Sequence, residues 1–319
     1  MRRTGGLVLL ALGVFFVVLA PLLRFWAADR LVHAPADQDS TTELSAPNAR
    51  YFSVADMKVL TGNLAITVTT RGDTAESAGD HVVWDQFTNV NDVTNERRGI
   101  SFSLFRSAFN KYDGTGVNCC QVNVDKTPVR LQGQIFLFPF GVEKKTYPVY
   151  NPAAKQAFPA EFAGEEVLDG LRVYRFVQKI PPTVTDTLKV PATVLGMKGK
   201  GDKQAERVYD GTTTFWVEPE TGLPVKQEQR RHEVLKTGDG VERTPALVGT
   251  ATYTPETVGS LVRTARDNMN QIALLKTTIP LVSLIVGLAF LLVGGWLMRP
   301  ERPERPERPE RFEYSEQPS

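Results

Sequence analysis

TTTFWVEPETGLPVKQEQ, Thr212 to Gln229, is the stretch on which the fold turns. Its first third is rich in Thr and aromatics, as a pleated, half-buried surface requires. EPETGLP then brings together the Pro, Gly and acidic residues of a turn, and VKQEQ follows at strand spacing, so the segment reads as a β-hairpin. Working outward, the same alternation of short Val/Thr/Ile/aromatic runs with Gly, Pro, Asn and Asp recurs through the middle of the chain. Strands are expected over Met57 to Thr70, His81 to Thr88, Gly99 to Arg106, Val129 to Phe138, Glu165 to Gln178, Arg207 to Val217, Pro224 to Leu235 and Ala246 to Thr252. Turns are expected at Asp113 to Gly116, Leu168 to Leu171, Glu218 to Pro224 and Thr237 to Gly240. In LRVYRFVQ, Leu171 to Gln178, both faces are mixed, so a second layer or a ligand should cover this strand.

After Tyr253 the period changes. Thr254, Pro255 and Glu256 supply a helix cap, a first-turn proline and an acid at the positive end of the dipole. Val258, Leu261, Val262, Ala265, Met269 and Ile272 then recur at helical spacing, giving a stalk helix that packs on the sheet or lies on a bilayer. Two charge-free apolar runs, Gly5 to Leu23 and Pro280 to Met298, are each long enough to cross the hydrocarbon core. Bulky Phe25 and Trp26 disfavour signal cleavage, so the first run is read as an uncleaved anchor. Arg2 and Arg3 before it, and the arginines from Arg299 to Arg311 after the second, put both termini in the cytoplasm.

The expected organisation is a cytoplasmic N-terminus with a signal-anchor helix (1–28), a β-rich extracytoplasmic domain (29–253), a juxtamembrane helix (254–279), a second transmembrane helix (280–298) and a cytoplasmic tail (299–319). The fold class is mainly β (α+β): a curved, sandwich-like antiparallel sheet between two anchors. The tail repeats Pro, Glu and Arg every three residues, which forbids helix and sheet and gives a disordered, solvated spacer. A net charge of +1 over 319 residues gives no electrostatic reason to expect nucleic acid.

LFPFGVEKKTYPVYN (Leu137 to Asn151), NCC (Asn118 to Cys120), DGLRVYRF (Asp169 to Phe176) and FWVEPETGLPV (Phe215 to Val225) resemble an actinobacterial two-span membrane family of uncharacterised function, often labelled PorA-family porins. The resemblance runs over nearly the whole chain, departing at DQFTNVNDVTNERRGIS, Asp85 to Ser101. It implies a β-rich extracytoplasmic domain between two anchors, and a role in handling envelope lipids and lipoglycans. It supplies no catalytic residues.

The chemistry-bearing residues are few. Cys119 and Cys120 are the only cysteines, and they are neighbours. A turn-forming vicinal disulfide leads, two buried thiols follow, and a redox or thiol–metal role comes last, because CC lacks C-x-x-C spacing and no histidine-rich partner lies near in sequence. His33, His81 and His232 stand in no metalloprotease context, and there is no nucleophile elbow or Walker loop, so no enzyme, metal or cofactor is expected. Phe136, Phe138, Phe140 and Tyr147 are candidates to line a lipid groove, with Lys144 and Lys145 as a cationic rim for a head group. A membrane β-barrel needs strands of roughly ten residues with one uninterrupted apolar face, which LRVYRFVQ lacks. The residues therefore point away from a porin and toward a lipid- or glycolipid-binding protein, with a scaffold or regulator of an envelope synthase or transporter as the alternative; its partners would be membrane lipids, envelope glycolipids, or such a synthase or transporter.

Overall fold

In the computed structural model, which describes residues 2–299, the chain divides into a sheet unit, Leu31–Ile272, and a helical unit formed by the stretches that precede and follow it. The repeating Pro-Glu-Arg tail lies outside the described residues.

The sheet unit holds β1 (Asp39–Ser53), β2 (Lys58–Gly72), β3 (His81–Asp92), β4 (Arg97–Asn110), β5 (Asn123–Val124), β6 (Thr127–Pro128), β7 (Tyr147–Asn151), β8 (Gln156–Leu168), β9 (Leu171–Pro191), β10 (Asp202–Val217), β11 (Pro224–Lys236) and β12 (Glu242–Tyr253). They form one antiparallel sheet in the order β6-β5-β4-β3-β2-β1-β12-β11-β10-β9-β8-β7. The hairpin that opened the sequence reading is β10 and β11, in register from Glu206 opposite Lys236 to Trp216 opposite Lys226. Its turn is organised by Glu218, buried beneath it, whose carboxylate accepts from the amides of Glu220 and Thr221 and from the Thr221 hydroxyl.

Registry fixes which residues share a face, because directly paired residues point to the same side. On one side lie Trp84 and Phe105 of β3 and β4, Leu44, Leu64 and Ala251 in the middle, and Phe176 and Phe215 of β9 and β10. Phe136 stacks on Trp84, while Phe138, two residues on, stacks on Phe176. Strands far apart in the order thus meet one short segment on the same face, so the sheet curls and this face is its inside. The ends approach as well: Tyr150 of β7 stacks on Phe105 of β4 with ring centroids 5.6 Å apart. Between these ends, Gln134 bridges Thr115 on one side and Val149 of β7 on the other, carrying backbone pairing across the gap.

The segment 129–146 is not the strand expected from Val129 to Phe138. It crosses the inside of the curl; its Gln134 amide bonds to Pro148 of β7, and its other amides bond to turns: Ile135 to Gly114, Phe138 to Gly222, Gly141 to Glu220 and Val142 to Pro219. Being covered on both sides, it is apolar on both sides, which imitates a central strand in sequence. Gly222, in the left-handed region at φ 71°, lies so close to the Phe138 carbonyl that a Cβ there would collide with it.

The outer face of β9 and β10 is covered too. Helix α3 (Pro255–Ala273), capped by the Thr254 hydroxyl, buries Val262 and Ala265 against Leu171, Val173, Trp216 and Val225. The mixed faces of LRVYRFVQ therefore have a segment over one side and a helix over the other.

In the helical unit, α1 (Arg2–Leu22) runs antiparallel to α4 (Ile279–Met298). Glycines let the backbones touch: a Cβ on Gly13 would stand 2.9 Å from the Gly287 carbonyl, and one on Gly294 would stand 2.9 Å from the Gly6 carbonyl. The Ser283 hydroxyl donates to the Phe16 carbonyl at 3.1 Å, and Arg24 donates to the Lys276 carbonyl at 3.0 Å. Close small-residue contacts with interhelical hydrogen bonds are how helices associate where lipid removes the hydrophobic drive. By length and composition, Arg3–Ala27 and Pro255–Met298 are each able to cross a membrane.

Candidate functional site

The inside of the curl carries an aromatic cluster toward each end, an aliphatic cluster of Leu44, Ala46, Leu64, Val90 and Ala251 on its central strands, and one polar row on β11. At one end Phe136 packs among Trp84, Phe105 and Phe109. At the other, Phe138 is 3% exposed and meets Phe176, Tyr147 and Phe215 at ring separations of 4.8, 5.5 and 5.9 Å.

The polar row lies on β11, beside the aliphatic cluster. VKQEQRRHE, Val225 to Glu233, is polar on both of its faces: Gln227, Gln229, Arg231 and Glu233 alternate with Lys226, Glu228, Arg230 and His232. Registry sets Gln227 opposite Phe215 and Gln229 opposite Thr213, which is itself opposite Gln178, so the Gln227 set faces inward. Gln227 and Gln229 are half-buried rather than sealed, and the Tyr253 hydroxyl donates to the Gln227 side-chain oxygen at 3.2 Å. Burial pushes the Tyr253 hydroxyl up to about 12, so it remains a neutral donor. Beside this row, buried Glu233 is held by Arg207 at 2.6 Å and Arg231 at 3.3 Å, and the Arg231 guanidinium lies over the Tyr209 ring. Two guanidiniums share this carboxylate, and Asp186 of β9 stands directly opposite Arg207. This lane went unread in the sequence, although a strand polar on both faces at the centre of a sheet was its signal.

The residues expected to line a lipid groove are placed differently. Phe136, Phe138 and Tyr147 are packed against other rings and fill the space they were expected to border. Phe140, half-buried, belongs to no ring pair among the described residues. Nor are the lysines free for a head group: Lys144 is bonded to Glu165 and Lys145 to Glu143, and each carboxylate raises its lysine's pKa.

Cys119 and Cys120 form a disulfide, with Cα atoms 3.8 Å apart. Cys120 and Gln121 both have φ near 58°, and the Val122 amide returns to the Cys119 carbonyl, the pattern of a tight turn. The Arg106 Nε donates to the Cys120 carbonyl at 3.0 Å, while its other nitrogens bind Asp85 and Asp73. No histidine-rich partner was expected near the cysteines, and the fold brings one histidine to them: His81 Nε2 is 3.5 Å from Cys120 Sγ. His232 binds Asp210 through Nδ1 at 2.8 Å.

A family described as Porin PorA has a profile that matches residues 5–296. The chain belongs to that family. Two curated relatives, both named Porin PorA, share this sequence pattern. The protein from Corynebacterium amycolatum is 26% identical over 200 residues, covering 50% of this chain and 52% of the relative. The protein from Corynebacterium resistens is 25% identical over 230 residues, covering 52% and 56%. The chain thus spans about half the length of the curated relatives it matches. Membership in the Porin PorA family corrects the functional expectation of lipid or glycolipid binding, and with it the scaffold alternative and the setting aside of a porin: the relatives carry a porin name, and the aromatic side chains meant for an acyl chain are occupied by one another. The earlier objection assumed that a porin must cross the bilayer with its strands, whereas this PorA-family chain has helices able to do so.

Proposed function

We propose that this protein is a non-enzymatic, channel-type member of the Porin PorA family, in which the inside of the curled sheet guides small hydrophilic solutes. The observation that carries the reading is the inward row Gln227, Gln229 and Arg231 on β11, half-buried polar side chains where a closed core would place apolar ones. The porin names of the relatives point the same way. On this reading α1 and α4 cross an envelope membrane as a two-pass pair, bilayer lipids are their immediate partners, the sheet unit is extracytoplasmic, and Arg2, Arg3 and Arg299 hold both ends in the cytoplasm.

The test is reversal potential across a planar bilayer holding the purified full-length protein under a potassium chloride gradient. Gln229→Glu should move selectivity toward cations and Gln229→Lys toward anions, in opposite directions from the parent. A protein that gives no conductance, or a pair of variants with identical reversal potentials, would refute the lane as the path.

A further inference from the structure

We infer that Cys119, Cys120 and His81 constitute a redox-gated site for a thiophilic divalent cation of the Zn2+ class, latent while the cysteines are joined and assembled when they are reduced. The inference is independent of the channel reading. One donor atom from each of the three residues lies within 4.8 Å of the others, and all three residues are partly exposed, so an ion can reach them. The spacing of His81 and Cys120 is that of two ligands on one ion, and the sulfurs part to take it up once reduced. With Zn–S of about 2.3 Å and Zn–N of about 2.0–2.1 Å, a tetrahedral angle sets N and S about 3.6 Å apart. His81 Nε2 and Cys120 Sγ are 3.5 Å apart.

The backbone holds this arrangement independently of the sulfur bond. His81 begins β3, where it pairs with Asn110 of β4 and its amide bonds the Ala78 carbonyl. Arg106, also on β4, donates to the Cys120 carbonyl and is itself fixed by Asp73 and Asp85. The two halves of the site are thus mounted on adjacent strands of one ladder. Left-handed φ at both Cys120 and Gln121 is costly for residues other than glycine. Closing the two sulfurs on one ion would keep the turn tied once their own bond is gone. Two thiolates and one imidazole make a soft-to-borderline donor set that selects Zn2+ over Mg2+ or Ca2+, with water free to take a fourth position.

The step balances with a dithiol donor. The donor gives two electrons and two protons and becomes a disulfide; the Cys119–Cys120 bond breaks to leave two thiols; the cation then displaces both thiol protons as the two sulfurs bind it. The disulfide form of that donor reverses the sequence: it takes two electrons from the thiolates and two protons from solvent to become the dithiol, the Cys119–Cys120 bond re-forms and the ion is released.

The experiment uses full-length protein in detergent, reduced with a dithiol, freed of it without air, and titrated with Co2+ as a coloured stand-in for Zn2+. One Co2+ per chain should bind with a thiolate-to-metal charge-transfer band, which the oxidised protein should lack. Bound Co2+ or Zn2+ should protect both thiols from alkylation. His81→Gln, which preserves size and polarity, should weaken binding by about tenfold or more, about 1.4 kcal/mol, without moving the melting temperature of the oxidised protein. Absence of the band in reduced protein, or an unchanged affinity in His81→Gln, overturns the assignment. Cys120→Ser provides a second arm: if it binds Co2+ as tightly as the reduced parent, the pair of thiolates is not the site.

Discussion

Replacing Phe138 with alanine separates a filled interior from an open groove. The side chain is 3% exposed and has three aromatic partners, one stacked and two edge-on. Each such pair contributes about 0.5–1.5 kcal/mol beyond the area it buries. Truncating a buried Phe costs about 3–5 kcal/mol in all, since the surroundings relax only in part. The backbone bond from the Phe138 amide to the Gly222 carbonyl survives the change. A loss of about 4 kcal/mol is therefore expected. For a unit of this size, about 2–4 °C per kcal/mol makes that roughly 8–16 °C in melting temperature. Phe140→Ala, two residues along and without a ring partner among the described residues, should cost under about 1 kcal/mol. Thermal unfolding of the full-length protein in detergent, followed by near-ultraviolet circular dichroism, reads both variants against the parent. If Phe138→Ala shifted the transition no more than Phe140→Ala, the ring would border empty space and the packing argument would fall.

Other perturbations follow from single contacts. Asp92 is buried, which pulls its pKa upward, but donors from Asn95, Tyr51 and the amides of Thr94 and Asn95 outweigh burial and hold it below the usual carboxylate range. Its contribution is thus complete above the unfolded pKa of about 3.9 and lost as pH falls through the depressed folded value. Tyr51→Phe removes the 2.7 Å donor, so it should cost about 1.5–3 kcal/mol at neutral pH and move acid unfolding to higher pH, as read by urea melts across pH 2–7. Ala265→Leu, at a fully buried position of α3, should cost about 1–3 kcal/mol by overpacking and make the helix more susceptible to limited proteolysis. Gly287→Leu should force α1 and α4 apart, seen as a longer distance between spin labels on cysteines placed at Gly5 and Gly295, where an added side chain meets nothing.

The β10–β11 hairpin was legible because its turn chemistry is local: Glu218, Thr221 and Gly222 do their work within a few residues of one another. The start of α3 was legible for the same reason, since Thr254 caps its own helix. The turn expected at Leu168 to Leu171 is present, with Asp169 and Gly170 both in the left-handed region, and it divides the strand expected from Glu165 to Gln178 into β8 and β9. The reading failed where one side chain pattern answers to distant partners. Strand β1 was missed because Pro47 and Asn48 interrupt it; the register slips between Ala46 and Ala49, and Asn48 sits at φ 52° in the resulting bulge. Strand β7 was hidden by Pro148, tolerable because β7 ends the strand order and needs only one ladder. In the candidate site, the lane was written plainly in VKQEQRRHE, whereas the approach of His81 to Cys120, 39 residues apart, needed the β3–β4 ladder to bring it about.

The outer face of the sheet decides how a porin relationship can be expressed in this chain. On β11 the residues opposite the lane are Lys226, Glu228, Arg230 and His232, and neighbouring strands add Glu43, Arg71 and Asp85 on the same side. Each Lys or Arg facing lipid at mid-bilayer would cost roughly 2–4 kcal/mol. A few of them would consume much of a domain's total stability of about 5–15 kcal/mol. Helix α3 occupies a further part of that face, over β9 and β10, where a lipid-contacting barrel would have to be bare. The strands are therefore built to stand in water, and the segments able to contact hydrocarbon are Arg3–Ala27 and the apolar part of Pro255–Met298. A solute passing through this protein would meet the β11 row in series with the membrane-crossing part of its path, so changing outer charges such as Arg230 to glutamine should leave selectivity unaltered while Gln229 substitutions shift it.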